Sequence, residues 1–331
     1  MTQTAIDEAH AAQILAGSAG RDLGHGFEAD VATSINVLGQ LPFAPTEDQR
    51  HIVTGFPGVE ALAFVCRDLG LRRIDRAAAW WVGGLATAGS GDRTVGSRRI
   101  RVDKSKSDVV IEVAYGNRTE LRGVSIKKCG APRPTNAQMY LATASSFCAL
   151  LRGRGIAVSQ GAEDALRGFC GDPGFRPSDA GGRADRLVDT RRWFWEEMPA
   201  AAFDEWGRIL GDNQPLVTDT LLRAAYPGDP IPPDYLMHQR YGVVPGMEGR
   251  TPLAIFRIEQ LVRYSCGAKG VEMRPYRIHK GSFKDDPNEH MGPRFGFIQM
   301  QRFGNRQHPT ELQFNLEADY FSDRKIPYGP R

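Results

Sequence analysis

Two short β-branched runs face each other across Gly-Asn-Arg-Thr in the stretch KSKSDVVIEVAYGNRTELRGVSIKKCG, Lys104 to Gly130. SDVVIEVAY and RGVSIKK read as the two strands of an antiparallel hairpin, with the turn in Gly116-Asn117-Arg118-Thr119. This constrains the fold more than any other feature of the chain, because strand alternation assigns every side chain to one of two faces. Ser125 and Lys127 share one face, and Val124 and Ile126 share the other. With the turn centred on Asn117 and Arg118, Asp108 stands opposite Lys127, which sets their Cβ atoms about 5 Å apart. A carboxylate and a lysine then meet on one side of a hairpin whose other side is apolar. The lysine is itself a signal. The chain has 42 Lys and Arg, of which only eight are lysines, and half of those eight lie between positions 104 and 128. Lysine is the compact ammonium that can lose its proton when buried, whereas arginine cannot.

Around this hairpin the pattern alternates. Residues 1–95 read as mostly helical by apolar spacing, most clearly from Asp22 to Leu38 and from Gly58 to Leu71. The Gly/Ser/Thr-rich GGLATAGSGDRTVGS that follows reads as a loop. RRIRV reads as a further strand, so residues 96–150 form a strand-strand-helix core. Its helix is PTNAQMYLATASSFCALLRG, with Thr135 and Gln138 as a capping box. Residues 151–265 read as a helical insertion broken at GDPGFRPSDAGG and YPGDPIPPDY, and residues 266–331 return to strands. The expectation is one α/β domain over residues 1–331.

Composition removes several classes. Charged residues make up 24% and hydrophobic residues 41%, as in globular chains. No apolar run approaches the ~18 residues that span a bilayer. The N-terminus MTQTAIDEAHAAQILAG carries acids where an export signal needs basic residues. Five cysteines, at 66, 129, 148, 170 and 266, form no C-x-x-C pair, which argues against a disulfide framework or structural zinc and for a reducing cytoplasm. The seven histidines lack metal-ligand spacing. GHGFEA imitates a dinucleotide fingerprint, but no strand precedes it. Ser125 and Lys128 fall on opposite faces and make no Ser-Lys pair. Trp193, Trp195 and Trp206 read as core.

Ser107-Asp108 followed by Ser125-Ile126-Lys127 resembles the motif of the PD-(D/E)xK nuclease superfamily, in its type II restriction endonuclease branch. In that pattern an Asp heads one strand and (D/E)-x-K lies on the next. The resemblance covers roughly residues 20–150 in order of elements, and Glu28, in GHGFEADVATSINVL, sits where the family often has a helix carboxylate. Ser107 stands where the pattern commonly has Pro, and Ser125 where it has an acid. The resemblance implies a restriction-endonuclease-like core, a mixed β-sheet flanked by helices, with the helical insertion and a C-terminal β-hairpin. It implies Mg²⁺ held by Asp108 and the Ile126 carbonyl, with Lys127 on the scissile phosphate and the attacking water. Ser125 would at most hold a metal-bound water, and Glu28 would restore the missing charge. The implied activity is hydrolysis of phosphodiester bonds in double-stranded DNA at a short specific site. The enzyme would act as a homodimer, with a cognate DNA methyltransferase as genetic partner. Two alternatives stay open: a DNA-binding protein on the same scaffold that has lost catalysis, which Ser125 favours, and a non-specific repair or recombination nuclease.

Two segments are candidate DNA contacts. RRIRVDKSK places Arg98, Arg99, Arg101, Lys104 and Lys106 just before Asp108, where a phosphate backbone would be attracted. RFGFIQMQRFGNRQHPTELQFNLEADYF reads as a hairpin. Leu312, Phe314 and Leu316 face inward, and Gln299, Gln301, Arg302, Asn305, Arg306, Gln307, Gln313 and Asn315 lie on the other face and the turn. Arg suits guanine edges, Asn and Gln suit adenine edges, and a two-stranded ribbon fits the major groove.

Overall fold

The computed structural model describes residues 24–38, 51–86, 91–128, 137–179, 192–226, 228–239, 248–267, 270–277, 289–302 and 311–316. The first elements are α1 (24–38), β1 (Ile52–Gly55), α2 (Pro57–Asp68), β2 (Arg76–Trp81), β3 (Arg93–Val95), β4 (Ile100–Val102), β5 (Val109–Tyr115) and β6 (Arg118–Lys128). There follow β7 (Ala137–Thr143), α3 (Ala144–Gly153), α4 (Gln160–Cys170), α5 (Ala200–Asp212) and α6 (Gln214–Arg223). The chain ends with β8 (Pro233–Gln239), β9 (Thr251–Arg257), α7 (Ile258–Gly267), β10 (Val271–Tyr276), β11 (His290–Phe295), β12 (Ile298–Arg302) and β13 (Glu311–Leu316). These elements group into two compact units. One is drawn chiefly from Arg21–Ala137 and Leu222–Leu261, the other from Gln138–Leu221 and Val262–Leu316.

The first unit is mixed α/β. Its six-stranded sheet runs β1-β9-β8-β6-β5-β2, with β6 and β8 parallel and the remaining neighbours antiparallel. One face is a continuous apolar layer in which Val109, Ile111, Val113, Val124, Ile126, Tyr235, Met237 and Ile255 pack beneath α1 and α2. Helix α1 supplies Val31, Ala32 and Ile35, and α2 supplies Leu62, Phe64, Val65 and Cys66. This is the i, i+3, i+4 stripe of an amphipathic helix. Asp68 at the end of α2 accepts the Tyr235 hydroxyl at 2.6 Å and pairs with Arg257, which ties the helix to the sheet. On the other face, Val110 packs with Val82, Val95, Val102 and Ile231 beneath the small β3-β4 hairpin.

Gly123 marks a bulge where the pairing of β6 with β8 shifts. A Cβ there would lie 2.2 Å from Ser107 Oγ and 2.7 Å from the Pro232 carbonyl oxygen. The backbone of β6 therefore approaches the segment before β5 as only glycine allows. Gly123→Ala is expected to destabilise the fold by about 1–3 kcal/mol, the usual cost of overpacking. Urea denaturation measures this, and an unchanged midpoint would refute the close approach.

The second unit carries a five-stranded sheet, β10-β11-β12-β13-β7. Phe147 of α3 stacks on Trp206 of α5 and meets the edge of Phe314 of β13. Trp195 and Trp206 are fully buried, and the Trp206 indole donates to the Ala162 carbonyl at 2.9 Å. Trp195 and Trp206 are core as expected, whereas Trp193 is only half-buried.

Several assignments change. The start of the expected helix, Ala137–Thr143, is strand β7, and α3 begins only after Thr143, whose hydroxyl caps Ser146 N at 3.3 Å. Ala137, Met139 and Leu141 are buried at period two, which is strand spacing. β1 and β2 lie within the stretch expected to be mostly helical, and β2, RAAAWW, has the alanine content of a helix. β8 and β9 lie inside the expected helical insertion and complete the main sheet. Each is buried on both faces over four consecutive residues, so it shows no alternation that would separate it from a helix. Among the described residues no helix is long and apolar enough to cross a membrane.

Candidate active site

The hairpin forms, with a different register. The pairs run from Tyr115 with Arg118 to Val109 with Val124, so the turn is the two-residue Gly116-Asn117. Gly116 takes the left-handed φ of 53°, which a tight turn between right-twisted strands needs. The next step of the ladder brings Asp108 level with Ser125 rather than Lys127, and Asp108 N donates to the Val124 carbonyl at 2.9 Å. The slip is two residues along the partner strand, so parity is kept and Lys127 stays on the face of Asp108. Diagonal neighbours are within reach of a long side chain. Lys127 Nζ bridges that gap to Asp108 Oδ2 at 3.3 Å and also donates to the Ile126 carbonyl at 2.9 Å.

Asp108 is held from several sides. Its Oδ2 accepts Ile126 N at 2.5 Å and Ser125 Oγ at 3.2 Å besides the lysine. Its carbonyl accepts Val82 N at 2.9 Å and Gly83 N at 3.0 Å, from the turn that leaves β2. Side-chain exposure is 16% for Asp108 and 23% for Lys127, which separates this pair from a solvent-exposed cross-strand ion pair. Ser125 is fully buried, and its hydroxyl is spent on aiming the carboxylate.

Glu28 reaches the same place from α1. It lies three, four and seven residues before Val31, Ala32 and Ile35, so it is on the buried stripe of its helix. Trp81 Nε1 donates to its Oε2 at 2.9 Å. Gly83 marks where the two carboxylates converge: a Cβ there would lie 2.3 Å from Glu28 Oε2 and 3.2 Å from Asp108 Oδ1. Burial first, and then the Asp108 charge, push the Glu28 carboxyl up to about 7, against the Trp81 hydrogen bond and Lys127. Two carboxylates bordering one small space cannot both ionise cheaply without a cation. Such hard oxygens suit a small divalent cation like Mg²⁺, which takes one or two protein carboxylates and completes its shell with waters and phosphate oxygens. The Ile126 carbonyl and Asp108 Oδ2 both accept the Lys127 ammonium, so this carbonyl lies beside the Asp108 carboxylate. Among the described residues no group of three His, Cys, Asp or Glu gathers as a metal cluster.

Trp81 and Gly83 belong to this site and were not singled out in the sequence. Their signal there is faint: the pair Gly83-Gly84 ending a strand, which permits close backbone approach.

The basic segment divides. Arg98, Arg99, Arg101 and Lys104 are exposed on or beside the β3-β4 hairpin, with Arg99 at its turn and Arg101 paired to Asp92. Lys106 is buried, so it is not the surface phosphate contact its neighbours suggested. Burial, and then Lys127, bring its ammonium down to about 7, while Asp108 and Asp229 oppose the shift. Arg93 was not singled out. It is exposed, sits over the Trp81 ring, and donates to the Trp81 carbonyl at 2.7 Å.

The C-terminal hairpin also changes. β12 and β13 pair as expected, from Ile298 with Leu316 to Arg302 with Leu312. Gln313 and Asn315, however, are buried along with Leu312, Phe314 and Leu316, so both faces of β13 are covered. Gln313 Nε2 donates to Asn315 Oδ1 at 3.0 Å, a partner within the strand. As placed, Gln313 is not available to a base edge, and Gln299 is only half-buried. Gln301 and Arg302 end β12, with side chains outside the described part; Asn305, Arg306 and Gln307 lie outside the described residues.

No protein-family model matches the chain, and no curated protein matches it.

Proposed function

We propose that the chain is a Mg²⁺-dependent endonuclease of the PD-(D/E)xK kind, hydrolysing phosphodiester bonds in double-stranded DNA at a short specific site as type II restriction enzymes do. The observation that carries this is the meeting of Asp108, Lys127 and Glu28, from two strands and a helix, around the space that Gly83 leaves open. Asp108, Glu28 and the Ile126 carbonyl would hold the cation. When bound, Mg²⁺ activates a water and offsets charge on the phosphate. Lys127, already oriented by Asp108 and Ile126, presents its ammonium to a phosphate oxygen and to the attacking water. Ser125 and Ile126 N fix the Asp108 carboxylate, which leaves its Oδ1 toward Glu28. Glu28 supplies the second carboxylate that the strand motif lacks, which favours an active enzyme over an inactive DNA-binding scaffold. Each chain carries one such centre, so cutting both strands at a two-fold site calls for a homodimer. A cognate DNA methyltransferase would be its genetic partner, and the cytoplasm its compartment.

Digestion of a long duplex with and without Mg²⁺ tests the reading. Discrete Mg²⁺-dependent bands support it. A smear would point to a non-specific nuclease, and retained binding without cleavage to the inactive scaffold. Arg98 and Arg99 are the exposed cations expected to meet the DNA backbone. Replacing either with Ala should reduce the slope of log affinity against log salt by about 1 and weaken all sequences alike. A slope equal to the parent's would remove that arginine from the interface.

A further inference from the structure

The proline-rich break YPGDPIPPDY carries a buried network beside the candidate centre. Asp229 lies in the segment between α6 and β8, and its carboxylate takes backbone and hydroxyl donors from the strap just before Asp108. Oδ2 accepts Lys106 N at 2.6 Å, Oδ1 accepts Ile231 N at 3.0 Å, and Ser105 Oγ donates to Oδ1 at 3.1 Å and to Oδ2 at 3.3 Å. The strap answers with further bonds. Ser107 Oγ donates to the Ile231 carbonyl at 2.8 Å, and Ser107 N donates to Ser105 Oγ at 3.0 Å. Ser105, Lys106 and Ser107 are all buried. Pro230 and Pro232 flank Ile231 and stiffen the acceptor segment by fixing φ. One residue further on, Asp108 begins its contacts with β6 and the turn after β2.

We infer that Asp229 is a positioning residue for the candidate nuclease centre, acting through the Ser105–Ser107 strap to hold Asp108 in its cation-binding orientation. The inference rests on the nuclease reading above. Asp229 touches neither DNA nor cation. A carboxylate is required because two backbone N–H groups, of Lys106 and Ile231, need separate oxygens, and an amide offers only one. Outer partners of this kind tune an inner ligand by holding it in place.

A second aspartate provides the control. Asp75 Oδ2 accepts Gly116 N at 2.6 Å and pins the far end of the same hairpin, away from Asp108. The full-length chain is tested as Asp229→Asn and Asp75→Ala, with thermal melts, steady-state cleavage and titration with Tb³⁺ as a hard-cation probe read by luminescence. Both variants should melt earlier than the parent. Only Asp229→Asn should raise the Tb³⁺ dissociation constant by about 10-fold and lower kcat by about 10–100-fold, with KM for DNA within about threefold. Ser105→Ala, which removes the hydroxyl that donates to Asp229 and accepts from Ser107 N, should shift the Tb³⁺ constant about threefold in the same direction and serves if Asp229→Asn does not fold. Parent-like Tb³⁺ affinity and kcat in Asp229→Asn, equal effects of the two aspartate variants, or an unshifted Ser105→Ala would overturn the assignment while the parent still cleaves. A parent chain that neither cleaves DNA nor takes up Tb³⁺ overturns the nuclease reading and this inference together.

Discussion

Asp108→Asn and Lys127→Ala should each lower Mg²⁺-supported cleavage by about 10²–10³-fold or more, the scale seen when one preorganised charged partner of a transition state is removed. DNA affinity measured with Ca²⁺ should change little, because the many other contacts to the duplex remain. The two residues differ in what they remove. Asp108→Asn takes away a carboxylate on which Ile126 N, Ser125 Oγ and Lys127 Nζ converge. Lys127→Ala takes away the ammonium and leaves Asp108 with its other two donors. Ser125→Ala deletes only one of three donors to Oδ2, so a loss of about 10-fold or less is expected from a single hydrogen bond. Single-turnover cleavage on one cognate duplex reads all three. Near-parent cleavage by Lys127→Ala would sink the catalytic assignment, and a Ser125→Ala as inactive as Asp108→Asn would give the serine more than an aiming role.

Glu28→Gln should separate stability from activity. The Glu28 carboxyl is raised from 4.5 to about 7 in the folded chain, chiefly by burial and then by Asp108. The folded state thus holds a proton that the unfolded state gives up between those values. The associated stability is fully present below about pH 4.5 and is lost as the pH rises through about 7. At pH 8 without metal, the parent carries an ionised, buried acid beside Asp108. Glu28→Gln removes that charge and can still accept the Trp81 indole N–H. The variant should therefore be more stable than the parent by about 1–3 kcal/mol at pH 8 and no more stable at pH 4. Its Mg²⁺-supported cleavage should fall by about 10²-fold, because a cation-holding carboxylate is gone. Added Mg²⁺ should stabilise the parent more than the variant. Urea denaturation in chelator and in Mg²⁺ gives both comparisons. A Gln variant that is less stable at pH 8, or one that cleaves like the parent, would show Glu28 to be a packing residue.

Glu28 also shows how far local reading reached. The stripe Glu28, Val31, Ala32, Ile35 is visible in the sequence as helical spacing, and an acid on it is an acid facing the core. Which groups it meets there was not visible. Trp81 and Gly83 come from another element more than fifty residues away, and no periodicity links them. Lys106 carries the opposite lesson. It ends a run of basic residues, Arg98 to Lys104, that are exposed, yet it is buried beside a segment 123 residues later, at Asp229.

The sequence by itself determined the hairpin, its apolar and polar faces, and the placing of Asp108 and Lys127 together on the polar one. These depend on a period of two, and a slip of two residues leaves that period unchanged. It determined α1 and α2 as well, since each writes its burial into a helical spacing of apolar residues. Tertiary structure decided the register, because Gly116 and Asn117 both suit a turn and only the paired strands select which residues form it. It decided that β8 and β9 are strands, since burial on both faces erases alternation. And it decided the environment of Asp108: the donors from β6, the carboxylate from α1, the glycine after β2 and the strap held by Asp229 come together through long-range packing that no local pattern records.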